Sequence, residues 1–231
     1  MAHPFIEPFP LPPGEIHLWR LPLDRSTPTA APLTDADRRR MARIRNPRPR
    51  RRWACARALT RLILAGYLNR NPTALALCTA PGGKPMLADG ALTFNLTHSG
   101  AVALLAVARD RALGVDLERV RPVVHMARIA ARLFDDHARQ ALAQIPEPSR
   151  TTLFFDHWTR MEARQKCSGS GLFGPPTAPD GLLAFEPEPG WRAALAWHPA
   201  GERPPVIRFF QWRNQTGKLA LLHYEGPPTW S

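Results

Sequence analysis

Apolar and polar positions alternate along Glu15–Leu21 (EIHLWRL), a period of two that predicts a strand after a Pro-rich lead-in. The pattern then turns helical. Thr34 with Asp37 three residues on reads as a helix start, and Asp35 and Asp37 suit the positive end of its dipole. Pro47 and Pro49 are expected to stop that helix. From about Arg50 to Tyr67, the residues Trp53, Ala56, Leu59, Ile63 and Tyr67 recur every three or four positions, which predicts a helix with one buried stripe.

Beyond this helix the pattern breaks into shorter pieces. Pro81-Gly82-Gly83-Lys84-Pro85 reads as a turn, and Leu92–Leu96 and Ala101–Ala108 as two strands joined by a Thr97-His98-Ser99-Gly100 loop. Leu113–Leu117 reads as a further strand. Val124–Leu133 and Ala138–Gln144 carry helical spacing, as do residues 151–167, a long helix closed by Gly169 and Gly171. Past Gly174, Trp191–Trp197, Val206–Trp212 and Leu219–Tyr224 read as strands among Pro-rich loops. Each half has helices followed by short strands, so the fold class is α+β. No internal sequence repeat is evident, and any two-fold relation between halves would be structural.

Composition narrows the partners. The 231 residues, 44% apolar, suffice for one large domain or two small ones. The formal charge of +12 rests on arginine, since only Lys84, Lys166 and Lys218 are lysines, and it implies an anionic partner. Eleven arginines and no acid lie within residues 38–61, a segment suited to binding phosphates through guanidinium forks. Aromatic residues are not interleaved there as a nucleic-acid stacking platform requires. Three cysteines without CxxC spacing point to reduced thiols and the cytoplasm. The N-terminus lacks the order of a signal peptide, and the longest apolar run, Ala101–Ala108, is too short for a membrane span.

Chemistry concentrates in a few places. Asp116 and Glu118 stand one residue apart on a strand, so their carboxylates share a face. Two like charges so close call for solvation or a cation, and oxygen-only donors suit Mg²⁺ or Mn²⁺ beside a substrate phosphate. Trp158, Glu162 and Lys166 form an i, i+4, i+8 stripe, which is either an ordinary helix pair or a metal ligand next to a phosphate-binding lysine. The Thr97-His98-Ser99 hydroxyls and imidazole could donate to a phosphate, or His98 could bond a backbone carbonyl. Lys84, in its glycine turn, is expected to be exposed, which suits either anion capture or mere solubility.

Taken in series, Gly83-Lys84-Pro85, Phe94-Asn-Leu-Thr-His-Ser-Gly100, Gly114-Val-Asp-Leu-Glu118 and Trp158-Thr-Arg-Met-Glu-Ala-Arg-Gln-Lys-Cys-Ser-Gly-Ser-Gly-Leu172 resemble the motifs of the Sfp-type 4'-phosphopantetheinyl transferases. The resemblance implies a pseudo-two-fold α+β fold, with halves at residues 1–112 and 113–231 and the active site in the cleft between them. It implies transfer of the phosphopantetheine arm of coenzyme A to a serine of an acyl or peptidyl carrier protein. Asp116, Glu118 and Glu162 would hold magnesium, Asp116, Glu162 and Lys166 would serve catalysis, and Thr97, His98, Arg38, Arg51 and Lys84 would hold the nucleotide end of coenzyme A. Residues Val123–Phe134 would dock the carrier, and a monomer suffices because both halves lie in one chain. Two positions depart from the family pattern: Met161 replaces a lysine and Ala138 a glutamate. The competing expectations are a coenzyme A-binding homologue without transfer activity, and a basic nucleic-acid-binding protein that leaves the carboxylates unexplained.

Overall fold

The computed structural model describes residues 9–24, 32–80, 82–169, 179–198 and 203–212. The expected strand at Leu219–Tyr224, and Pro81, Gly171 and Leu172, lie outside them. In chain order the elements are β1 (Glu15–Pro22), α1 (Asp35–Ala42), α2 (Pro47–Leu68), β2 (Leu77–Thr79), β3 (Pro85–Leu87), β4 (Thr93–Ser99), β5 (Val102–Ala108) and β6 (Leu113–Arg119). They continue with α3 (Met126–Leu133), α4 (Asp136–Gln144), α5 (Ser149–Ser168), β7 (Gly181–Phe185), β8 (Trp191–Trp197) and β9 (Val206–Gln211).

Two sheets pack face to face, and each carries one long helix on its outer face. The first sheet has the order β4-β5-β1-β9 and the second β6-β8-β7. Strand parity sorts the side chains into layers. On β5, Ala103, Leu105 and Val107 join α2 residues Cys55, Leu59 and Ile63 in one core. The alternate residues Val102, Leu104, Ala106 and Ala108 pack instead against Leu113, Val115 and Leu117 of β6. Covered on both faces, β5 is buried throughout, which is why its sequence is an unbroken apolar run. Ala194 and Ala196 of β8 pack against Ala163 and Cys167 of α5 to complete the last layer.

The strand β9, late in the chain, pairs in parallel with β1 of the first sheet. A division at residue 112 therefore follows the passage from β5 to β6, but the first sheet draws a strand from each side of it. No helix among the described residues is long and apolar enough to cross a membrane.

Local chemistry sets the helix ends. Thr34 caps α1 through a reciprocal box with Asp37. The prolines expected to stop α1 also start α2: Pro47 and Pro49 stand in its first turn, where a missing N–H costs little. Asp37 is 3% exposed and accepts from Arg57 Nε and Arg61 Nε, both at 2.7 Å. Arg61 donates onward to the carbonyls of Pro72 and Leu75. Two of the eleven clustered arginines are thus structural. Burial raises the Asp37 pKa, but hydrogen bonds from Arg57, Arg61 and Thr34 outweigh it and hold the carboxyl at about 2. Helix α3 begins at Met126, later than its spacing suggested, because His125 adopts a left-handed conformation (φ 61°) that breaks the turn.

Candidate active site

The site forms where edge strand β4 lies against edge strand β6. Polar side chains at alternate positions of β4 join them: Val115 N donates to Asn95 Oδ1 at 2.8 Å, and Thr97 Oγ1 donates to Asp116 Oδ1 at 3.0 Å. Ser99 Oγ donates to Glu118 Oε2 at 2.9 Å and accepts from Arg119 N at 3.3 Å. Residues 97–99 are therefore not a loop, as the apolar run lengths suggested. They belong to β4, and the turn is confined to Gly100 and Ala101. The period-two spacing of Asn95, Thr97 and Ser99 was the signal for this, hidden because these polar residues face a polar seam.

Strand geometry also separates Thr97 from His98. Thr97 is buried against Asp116, whereas His98 is exposed and on the opposite face, the one Phe94 presents to α2. The two residues cannot grip one phosphate from the same face.

Asp116 and Glu118 project toward α5. Lys166 Nζ stands 2.6 Å from Asp116 Oδ1, 3.4 Å from Thr97 Oγ1 and 3.9 Å from Glu162 Oε2. Asp116 is 4% exposed, and its Oδ2 is buried with no hydrogen-bond partner among the described residues. Burial raises the pKa of Glu118, against the Ser99 hydrogen bond and with help from the Asp116 charge. Burial raises that of Glu162 as well; Lys166 opposes the shift, and Asp116 and Glu118 reinforce it. Among the described residues no three His, Cys, Asp or Glu are drawn together closely enough to be a metal cluster as they stand. The donor chemistry nonetheless fits a hard divalent cation: three carboxylates, oxygen only, one with a buried oxygen that nothing satisfies.

A cleft of about 300 Å³ opens beside this group, lined by Gly82, Gly83, Lys84, Asn95, Glu162 and Lys166 among others. Lys84 is not the exposed lysine its turn suggested. It is partly buried, and its ammonium donates to the carbonyls of Leu113 at 2.6 Å and Lys166 at 2.9 Å. Burial lowers its pKa.

Arg38 and Arg51 are exposed and do not line the cleft. Arg38 Nε donates to Asp35 at 3.3 Å, and Arg51 donates to the Asp24 carbonyl while Arg52 holds the Asp24 carboxylate. Met161 packs against the apolar cluster of Phe134, Ala138 and Phe154, so the two departures from the family pattern are neighbours. They line a second cavity of about 140 Å³ with Asp135, Arg160 and Arg164. Gln165, buried on α5, borders both cavities; sequence spacing did not single it out, or Asn95.

The sequence that builds this site has relatives of known class. A family model described as the 4'-phosphopantetheinyl transferase superfamily matches residues 112–211. The chain belongs to that family and is an enzyme of that class. It is 37% identical over 166 residues to the 4'-phosphopantetheinyl transferase HetI of Nostoc sp. (strain PCC 7120), covering 68% of this chain and 70% of the relative. It is 30% identical over 158 residues to the 4'-phosphopantetheinyl transferase AcpT of Escherichia coli (strain K12), covering 68% and 76%. A shorter match, 35% over 95 residues, covers 41% of this chain and 40% of the 4'-phosphopantetheinyl transferase psf-1 of Bacillus pumilus.

Proposed function

We propose that this enzyme works in the manner of the Sfp type, moving the 4'-phosphopantetheine arm of coenzyme A onto a serine of an acyl or peptidyl carrier protein with Mg²⁺ or Mn²⁺. The observation that carries this reading is the meeting of Asp116, Glu118 and Glu162 with Lys166 at the β4–β6–α5 seam. Those three carboxylates would hold the divalent ion, which supplies polarisation of the pyrophosphate oxygens when bound.

The chain's own groups do the rest. Thr97 and Ser99 orient Asp116 and Glu118 by donating to one oxygen of each, leaving the other to face a cation. Lys166, between Asp116 and Glu162, presents positive charge to the phosphoryl group under attack. Glu162, whose pKa burial raises, is suited to take the serine proton directly or through water. The serine oxygen forms the new P–O bond, the bond to the nucleotide's phosphate breaks, and adenosine 3',5'-bisphosphate leaves. His98 of β4 and Arg51 of α2 would receive the nucleotide, with support from Arg38 of α1.

The carrier would dock on α3 in a cytoplasmic, monomeric enzyme. The groove lined by Val123, Met126, Ala130 and Leu142 is largely apolar, and its charged residues are Arg139, Arg150 and Glu147, a net positive set that suits an acidic helix.

The test is the intact mass of an apo carrier protein incubated with the enzyme, coenzyme A and Mg²⁺, beside Asp116→Ala and a metal-free control. A phosphopantetheine gain only with wild type and metal is expected. No gain on several carriers, with coenzyme A still bound, would instead favour a homologue that binds without transfer.

A further inference from the structure

We propose that Lys84 is a positioning residue: its ammonium clamps the end of α5 to the start of β6 and so sets where Lys166 stands against Asp116. The proposal rests on the transfer reading above for its catalytic consequence, though not for the clamp itself.

The last four carbonyls of a helix have no partner within it. In α5 the Gly169 N–H and the Ser168 hydroxyl both donate to the Gln165 carbonyl. The next carbonyl, that of Lys166, accepts from Lys84 Nζ at 2.9 Å. A second bond from the same ammonium, 2.6 Å long, goes to the Leu113 carbonyl at the first residue of β6. Lys166 is thus held at its own backbone, and Asp116 lies only three residues beyond Leu113 on the same strand. One cation pins both elements whose side chains meet at 2.6 Å in the site.

The surroundings leave α5 little room to be held any other way. A Cβ on Gly82, in the turn that carries Lys84, would fall 2.7 Å from the Gly169 carbonyl oxygen. One on Gly114 would fall 2.0 Å from the Ala163 carbonyl oxygen and 2.4 Å from the Cys167 nitrogen. Turn, strand and helix therefore touch backbone to backbone, with no side chain between them to adjust. A positive charge at a helix C-terminus is favoured by the dipole. Lys84 makes no ion pair with an acid among the described residues, and burial costs its charged form, as expected of an internal clamp rather than a solvated anion trap.

Direct capture of a coenzyme A phosphate by Lys84 is the rival role, since the residue also borders the cleft. The two roles give opposite results for Lys84→Met, measured below its melting temperature. As a clamp, Lys84→Met lowers kcat tenfold or more while the Kd for coenzyme A, measured by calorimetry, stays within about twofold. As an anion trap, it raises that Kd tenfold with kcat at saturation retained, which would overturn the proposal. Gly82→Ala changes no charge but displaces the same seat; it should reproduce the loss in kcat, and a wild-type kcat would count decisively against the clamp. Hydrogen exchange of the amides at residues 165–169 reads the clamp without any activity. Faster exchange in Lys84→Met is expected, and unchanged exchange would refute the clamp even if the wild type transferred nothing.

Discussion

Replacing Asp37 with asparagine tests the buried charge network that fixes α1 to α2. The carboxylate accepts from Arg57, Arg61 and both the backbone and hydroxyl of Thr34. Arg61 has a side chain only 4% exposed, so without the charge its guanidinium stays buried with two carbonyls for company. Removing one partner of such a pair costs about 3–5 kcal/mol, against a total stability of about 5–15 kcal/mol. The lowered pKa expresses the same interaction as a dependence on pH. A fall from 3.8 to about 2 corresponds to about 2 kcal/mol, with Arg57 partly solvated. The folded-state pKa lies below the unfolded one, so this stability is present above pH 3.8 and is lost as pH falls through about 2. Urea unfolding at pH 7 should show Asp37→Asn weaker by about 3 kcal/mol with an unchanged m-value. Between pH 4 and pH 2 the wild type should lose about 2 kcal/mol that the variant does not have to lose. A difference below about 1 kcal/mol at pH 7, or parallel acid limbs, would refute the network's role.

Two further outcomes concern the site and its partner. Thr97→Val removes the hydroxyl that donates to Asp116 and stands 3.4 Å from Lys166. Transfer should fall about tenfold, as loss of about 1.4 kcal/mol would give, with the melting temperature within a few degrees; full activity would show that the hydroxyl orients nothing. Val124→Asp with Met126→Asp places one acid just ahead of α3, where Val124 is 75% exposed, and another at the first residue of the helix. The KM for the carrier should rise at least tenfold and that for coenzyme A should not move; an unchanged carrier KM moves the docking surface elsewhere.

Much of the fold was legible because period and punctuation agreed with burial. The α2 stripe, the box at Thr34 and Asp37, and the doubly covered run of β5 each follow from a local rule that the tertiary structure reinforces. The sequence reading went astray where a residue answers to a partner far along the chain. Residues 97–99 resemble a loop because they are polar, yet their polarity serves β6, about twenty residues on, through bonds from Thr97 and Ser99. Lys84 looks free in its turn because the carbonyls it satisfies lie 29 and 82 residues away. The return of β9 to β1 is likewise invisible to any local pattern.

The same distinction explains how the site itself could be read. Asp116 and Glu118 share a face by strand geometry, and Glu162 and Lys166 by helix geometry, so each pair was legible alone. What joins the pairs is Gly114, where only a residue without a side chain lets α5 lie on β6 closely enough for Lys166 to reach Asp116. A glycine two residues before an acidic pair thus carries as much of the site's geometry as the acids do. A larger residue there would hold the helix off the strand and part the lysine from its carboxylate.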